Sequence, residues 1–265
     1  MATISSESRI AERWRELRAA QRPGLVPYLT AGFPDRDTCR EALRRVDRYA
    51  DILEVGVPFS DPLADGPTIQ ASTFQALANG TTLAGTLDLI ANAELRSPVV
   101  LFTYLNPVLQ YGLDRLLRDA ADAGVSGLLL TDLPAGSDPS IETAIGGSAL
   151  DLIRLVAPTT SEHRLRLVVK GARGFVYLIA RLGVTGATAE LAADLRQSVA
   201  RVRAATALPI AVGFGVSTPA QAREVGAIAD GVVIGSALVD RLGRDGPEGA
   251  ETFVAGIRAA LDRGE

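Results

Sequence analysis

Glu54 stands inside an otherwise apolar run, DILEVGV (51–57). If that run is a strand, its carboxylate points into a strand-lined interior, where desolvation raises its pKa and brings proton transfer near neutrality within reach. The competing reading is a structural glutamate paired with an arginine on a neighbouring strand. Asp61 and Asp65 follow in a loop rich in Pro and Gly. Both suit turn positions, and Asp65, directly above Glu54, also suits a ligand-facing role. A second set of residues bears on anions. One apolar run ends in Gly213-Phe214-Gly215 and a later one in Gly235-Ser236, the latter leading into a helical pattern. Glycines let backbone N–H groups approach an anion, and a helix N-terminus adds partial positive charge. Thr185-Gly186, in GVTG, could add a third edge to such a cradle. Tyr104 and Tyr177 close two further runs, as pocket walls or as core.

The counts exclude much other chemistry. Among 27 basic residues there is a single lysine, Lys170, and the chain has one histidine (His163) and one cysteine (Cys39). One His and one Cys cannot build a structural zinc site or a His-rich metal centre, so no metal is expected. A Schiff base would have to use Lys170, in a segment that reads as the end of a helix, and a Ser-His-Asp triad would have to use His163, which reads as solvated. A disulfide within the chain is impossible, which suits a reducing, cytoplasmic setting. The net charge of −4, without a basic patch, argues against nucleic acid. The chain lacks an apolar run of the ~18 residues needed to span a membrane, and its N-terminus lacks an apolar signal core.

These residues must be positioned by eight short apolar runs: 25–30, 51–57, 98–104, 127–132, 150–156, 174–180, 209–215 and 230–236. Continuous rather than alternating apolar runs are what a parallel sheet buried on both faces requires. Amphipathic stretches separate them. In ESRIAERWRELRAAQ, Ile10, Trp14 and Leu17 share one face, and Asp114 to Ala123 stops at Gly124 in the manner of a helix end. Eight β/α units in 265 residues predict a (β/α)8 barrel in one domain, with the N-terminal helix covering the bottom. An open doubly wound sheet is the competitor. In barrels the active site lies at the C-terminal ends of the strands, and the loops after strands seven and eight form the common phosphate site. The small-residue loop 181–190 has the composition of a lid, or of plain surface.

LEVGVPFSDPLADGPTIQ (53–70) is similar to the signature of the tryptophan synthase α subunit family. VPYLTAGFP (26–34), YLNPVLQYG (104–112), TDLPAG (131–136), LVAPTT (155–160), RLGVTGA (181–187), VGFGVSTPAQA (212–222) and ADGVVIGSALV (229–239) resemble the family's other motifs, in its order. The resemblance implies a (β/α)8 barrel that splits indole-3-glycerol phosphate into indole and glyceraldehyde 3-phosphate. It implies Glu54 as general acid/base and Asp65 as its partner at the indole N–H. It places the phosphate on Gly186, Gly215, Gly235 and Ser236, and the indole pocket on Tyr28, Tyr104, Leu105 and Tyr177. It assigns Thr185 to a loop that closes towards Asp65, and Asp61 to a loop that communicates with a β subunit in an α2β2 complex. No cofactor is implied. Protonating indole C3 gives an indolenine whose C=N bond accepts electrons as the C–C bond breaks, so neither a lysine nor a metal is needed.

The chain departs from the family pattern in several places. Ala180 stands where many members have Ser, Leu182 where they have a small residue, and Leu105 where a Tyr or small residue often precedes the Asn. The segment 136–149 lacks the common acidic pair. These differences bear on lid closure, the pocket wall and partner coupling. Two variants of the function remain open from sequence: a stand-alone lyase that releases free indole, and a weakly active subunit that mainly switches a β subunit. A generic phosphate-binding isomerase fits the SDPLADGP loop less well.

Overall fold

The computed structural model describes residues 8–179, 188–213 and 215–263. Eight parallel strands close into a barrel in chain order. They are β1 (Gly24–Thr30), β2 (Leu53–Gly56), β3 (Val99–Thr103), β4 (Val125–Leu130), β5 (Asp151–Val156), β6 (Val176–Ile179), β7 (Ile210–Gly213) and β8 (Gly231–Ile234). Each falls within or against one of the eight apolar runs. Closure through β1–β8 pairing excludes the open sheet. Strands buried on both faces need apolar side chains at successive positions, which is why the runs are continuous.

The helices are α1 (Arg9–Ala19), α2 (Arg36–Asp47), α3 (Pro67–Ala78), α4 (Leu83–Ala91), α5 (Leu105–Tyr111), α6 (Leu113–Asp122), α7 (Pro139–Gly146), α8 (Glu162–Lys170), α9 (Thr188–Ala205), α10 (Pro219–Gly226) and α11 (Ser236–Asp262). Their starts follow local chemistry. Asp35, Thr82, Asp138, Ser161 and Thr218 each accept an N-terminal N–H of the helix that follows, and Thr218 with Gln221 forms a capping box. The loose segment at 134–149 gains its helix, α7, from the Asp138 cap and Pro139 in the first turn. Gly124 ends α6 with a φ of 90°.

Ile10, Trp14 and Leu17 of α1 pack beneath the barrel against Val26, Val100, Leu129, Ile153, Phe175 and Val233. The floor is shaped for this plug. A Cβ on Gly231 would lie 2.5 Å from the Trp14 ring, and one on Gly127 2.7 Å from Ile10. Asp51, buried beside the plug, accepts from Arg13, Arg22, Arg258 and the Leu25 N–H. The N-terminal end of the barrel is therefore filled and tied down, which leaves the other end for a ligand.

Candidate active site

Glu54 lies on β2 opposite Tyr28 of β1, and is 1 % exposed. Among the described residues it has no ion pair, and its Oε1 has no hydrogen-bond partner. The paired structural glutamate is thereby excluded. Burial pushes its carboxyl up to about 8, so the acid form prevails at neutrality.

A cavity of about 340 Å³ opens above it at the C-terminal ends of the strands. Asp65 enters this cavity from the β2–α3 loop. Burial raises its carboxyl to about 6, against a lowering contribution from the Tyr104 hydroxyl, which donates to Oδ2 at 3.0 Å. One carboxylic acid and one carboxylate therefore share the cavity at pH 7. Two similar groups have been driven apart by their surroundings: Glu54 lies deep and unpartnered, whereas Asp65 is half-buried and hydrogen-bonded.

Tyr28, Phe102, Ile69, Leu155, Tyr177 and Ile179 form the apolar wall. Tyr28 and Phe102 meet edge to face at 5.4 Å. Each tyrosine lies over a glycine of the next strand. A Cβ on Gly56 would fall 2.0 Å from the Tyr28 hydroxyl, and one on Gly213 2.2 Å from that of Tyr177. These glycines let both rings lie inside the barrel. Burial raises both phenols, so they remain neutral.

Next to Tyr28, Gly235, Ser236 and Ala237 at the start of α11 line the same cavity, together with Gly215, Val216 and Ser217 after β7. Gly215 has a φ of 101°, which favours glycine. Gly235 is the N-cap of α11 and makes no side-chain cap bond. The first N–H groups of a helix lack partners within it, so α11 presents donors and its positive dipole end to this side of the cavity.

The structure thus brings together Glu54, Asp65, Tyr28, Tyr177, Gly215, Gly235 and Ser236. Tyr104 is set behind Asp65 rather than in the lining. Leu105, at the start of α5, packs against the outer core and donates its N–H to Asp132 at 2.7 Å. Asp61 is exposed, accepting from Ser60. Thr185 and Gly186, like Ala180 and Leu182, lie outside the described residues. Ser217, Thr131, Phe102 and Leu155 line the cavity without having been singled out from sequence; their positions at or beyond strand ends were the available signal. His163 and Lys170 are exposed on α8, away from the cavity.

The sequence model described as Tryptophan synthase alpha chain matches residues 14–260. The chain belongs to the tryptophan synthase alpha chain family. It is 48 % identical to the tryptophan synthase alpha chain of Gloeobacter violaceus over 252 residues, covering 94 % of this chain and 91 % of that one. With the Geobacter sulfurreducens alpha chain it shares 46 % over 266 residues, 96 % and 99 % of the two. A structure of Mycobacterium tuberculosis tryptophan synthase superimposes with a TM-score of 0.89 at 38 % identity, over 98 % of this chain and all of the other. With membership of the tryptophan synthase alpha chain family comes the activity of a carbon–carbon lyase that cleaves indole-3-glycerol phosphate, in the alpha-subunit role in tryptophan biosynthesis. No helix among the described residues is long and apolar enough to cross a membrane.

Proposed function

We propose that Glu54 and Asp65 carry the retro-aldol cleavage of indole-3-glycerol phosphate, with Glu54 as general acid and Asp65 as the carboxylate at the indole nitrogen. The unpaired, buried Glu54 is the observation that carries this reading. A glutamic acid with no cation beside it among the described residues keeps its proton at neutral pH and has it available for indole C3. As C3 is protonated, positive charge develops at the ring nitrogen, and the ionised Asp65 stabilises it and accepts the N–H. The indolenine C=N bond then takes the electron pair of the breaking C–C bond, and the glycerol hydroxyl loses its proton as the aldehyde forms. Glu54, now a carboxylate, accepts that proton. This route draws its electron sink from the substrate and calls on no metal or cofactor.

Tyr28, Phe102 and Tyr177 offer flat apolar surfaces for the indole. Gly215, Gly235 and Ser236 offer the phosphate cradle, with Gly186 and Thr185 as further members on the motif's similarity alone. Anchoring a remote phosphate converts its binding energy into orientation at the reacting carbon. With Asp65 ionised above about 6 and Glu54 protonated below about 8, turnover should follow a bell whose limbs belong to this pair.

The same loop supports docking of a β chain. Leu63, 92 % exposed, stands two residues beyond Asp61, and Leu109 on α5 is also exposed. An apolar side chain left in water beside the active-site mouth suits burial by a partner. A cytoplasmic location accords with the reduced Cys39 and the role in biosynthesis. The deciding experiment is indole release from indole-3-glycerol phosphate by the purified chain, alone and with a β chain. Faster release with the partner supports the subunit reading, and full activity alone would favour a free-standing lyase. No cleavage in either condition would sink the assignment of Glu54 and Asp65.

A further inference from the structure

The loop between β2 and α3 must hold Asp65 against the pull of water on its carboxylate, and two side chains do this in different ways. Gln70 on α3 holds the backbone: its Nε2 donates to the carbonyl of Asp65 at 3.0 Å and to that of Pro62 at 3.4 Å. Tyr104, at the N-cap position of α5, reaches the carboxylate itself. Its hydroxyl accepts the Ala64 N–H at 3.0 Å and donates to Asp65 Oδ2 at 3.0 Å. Its ring packs on Phe59 of the same loop, with centroids 5.1 Å apart. A hydroxyl whose acceptor site is filled by a backbone N–H has its own proton directed elsewhere, here at the carboxylate.

We propose that Tyr104 is a positioning residue for the cleavage, its hydroxyl oriented by the Ala64 N–H so that it holds Asp65 ionised and leaves Oδ1 free for the indole nitrogen. The inference rests on the role given to Asp65 above. It moves Tyr104 from the pocket wall, where the family resemblance put it, to the support of a cavity residue. The surroundings of Asp65 sharpen the point. The titratable groups that face it are Glu54 from β2, Tyr28 from β1, Tyr177 from β6 and Tyr104 from the end of β3. None is a cation, and no arginine, lysine or histidine lines the cavity among the described residues. Burial works against the Asp65 charge, and the Tyr104 hydrogen bond is the counterweight. The phenol itself is raised by burial and by Asp65, so it stays a donor across the working range.

The test is Tyr104→Phe, which keeps the ring on Phe59 and removes only the hydroxyl. Hydrogen bonds to charged groups typically exceed neutral ones, and losing this one should lower kcat on the order of tenfold well below pH 6 and only about twofold at pH 7. KM, set by the phosphate side of the cavity, should change little. The acidic limb of the kcat profile should move up by about one pH unit, because each unit corresponds to about tenfold in the protonation equilibrium. Gln70→Ala is the comparison: it loosens the loop backbone without touching the carboxylate, and should lower kcat with the acidic limb in place. In Tyr104→Phe/Asp65→Asn the loss should be no greater than in Asp65→Asn alone. A wild-type profile for Tyr104→Phe, a fall that is uniform in pH, an equal limb shift in Gln70→Ala, or additive losses in the double variant would each overturn the proposal. Wild-type turnover in Asp65→Asn would instead overturn the role of Asp65 itself. Binding of glyceraldehyde 3-phosphate and the urea midpoint of each variant confirm that the fold persists.

Discussion

Replacing Glu54 by glutamine removes a titration that the barrel interior opposes, and it should make the protein more stable as the pH rises. The buried carboxyl is raised from an ordinary 4.5 to about 8. Between those values the folded chain binds more protons than the unfolded one, so wild-type stability must fall as pH climbs. At about 1.4 kcal/mol per pH unit, the accumulated penalty is on the order of 3 kcal/mol at pH 7 and on the order of 5 kcal/mol above pH 8. Glutamine has similar shape and no proton to lose. The stability difference between Glu54→Gln and wild type should therefore be flat near pH 4, grow steadily through neutrality and level off above pH 8. Against a typical total of about 5–15 kcal/mol, such a change is easily measured. Urea denaturation of both proteins from pH 4 to 9, followed by one optical signal, gives the difference curve. Other groups titrate equally in both proteins and cancel. Two parallel curves would refute the reasoning, because they would mean that Glu54 is ionised in the folded state at no cost.

The same substitution should reduce cleavage by about 10²–10⁴-fold, the usual worth of positioned proton transfer, while glyceraldehyde 3-phosphate still binds; wild-type turnover would remove Glu54 as the acid. Gly56→Ala places a Cβ 2.0 Å from the Tyr28 hydroxyl. Overpacking of this kind typically costs about 1–3 kcal/mol, to be read from the urea midpoint, and the displaced ring should lower turnover as well. Gly215→Ala strains a backbone with φ 101° at the edge of the phosphate side, and KM for indole-3-glycerol phosphate should rise on the order of tenfold with a smaller change in kcat. An unaltered KM would take Gly215 out of the cradle.

The barrel was legible in the chain because a strand buried on both faces writes itself as an uninterrupted apolar run, and eight such runs separated by helical patterns leave few architectures. The helix plug was legible for a similar reason: Ile10, Trp14 and Leu17 mark one face before any strand begins. The candidate site was legible where a residue violated its local pattern. Glu54 is conspicuous inside DILEVGV, and the glycines after the seventh and eighth runs are conspicuous by position. Tyr104 and Leu105 are adjacent, and the family resemblance puts both in a pocket wall. The structure separates them, turning one towards Asp65 and the other to the outer core, because adjacent residues at the entry to a helix diverge in direction.

The sequence by itself determined the strand count, the plug and the presence of a glutamate within an otherwise apolar strand. Those are properties of residue type and periodicity, and they survive without neighbours. Tertiary structure decided what Glu54 is. An unpaired acid and a salt-bridged carboxylate have the same local sequence, and only the packing of β1, β2 and β6 around it, with no arginine brought near among the described residues, selects the first. It also decided that Gly56 and Gly213 serve as seats for Tyr28 and Tyr177, since the register between strands brings a ring from one over the empty Cβ position of the next. The protonation of Glu54 and the hydrogen bond that Asp65 accepts are thus set by residues tens of positions away in the chain, through burial and contact that no local pattern encodes.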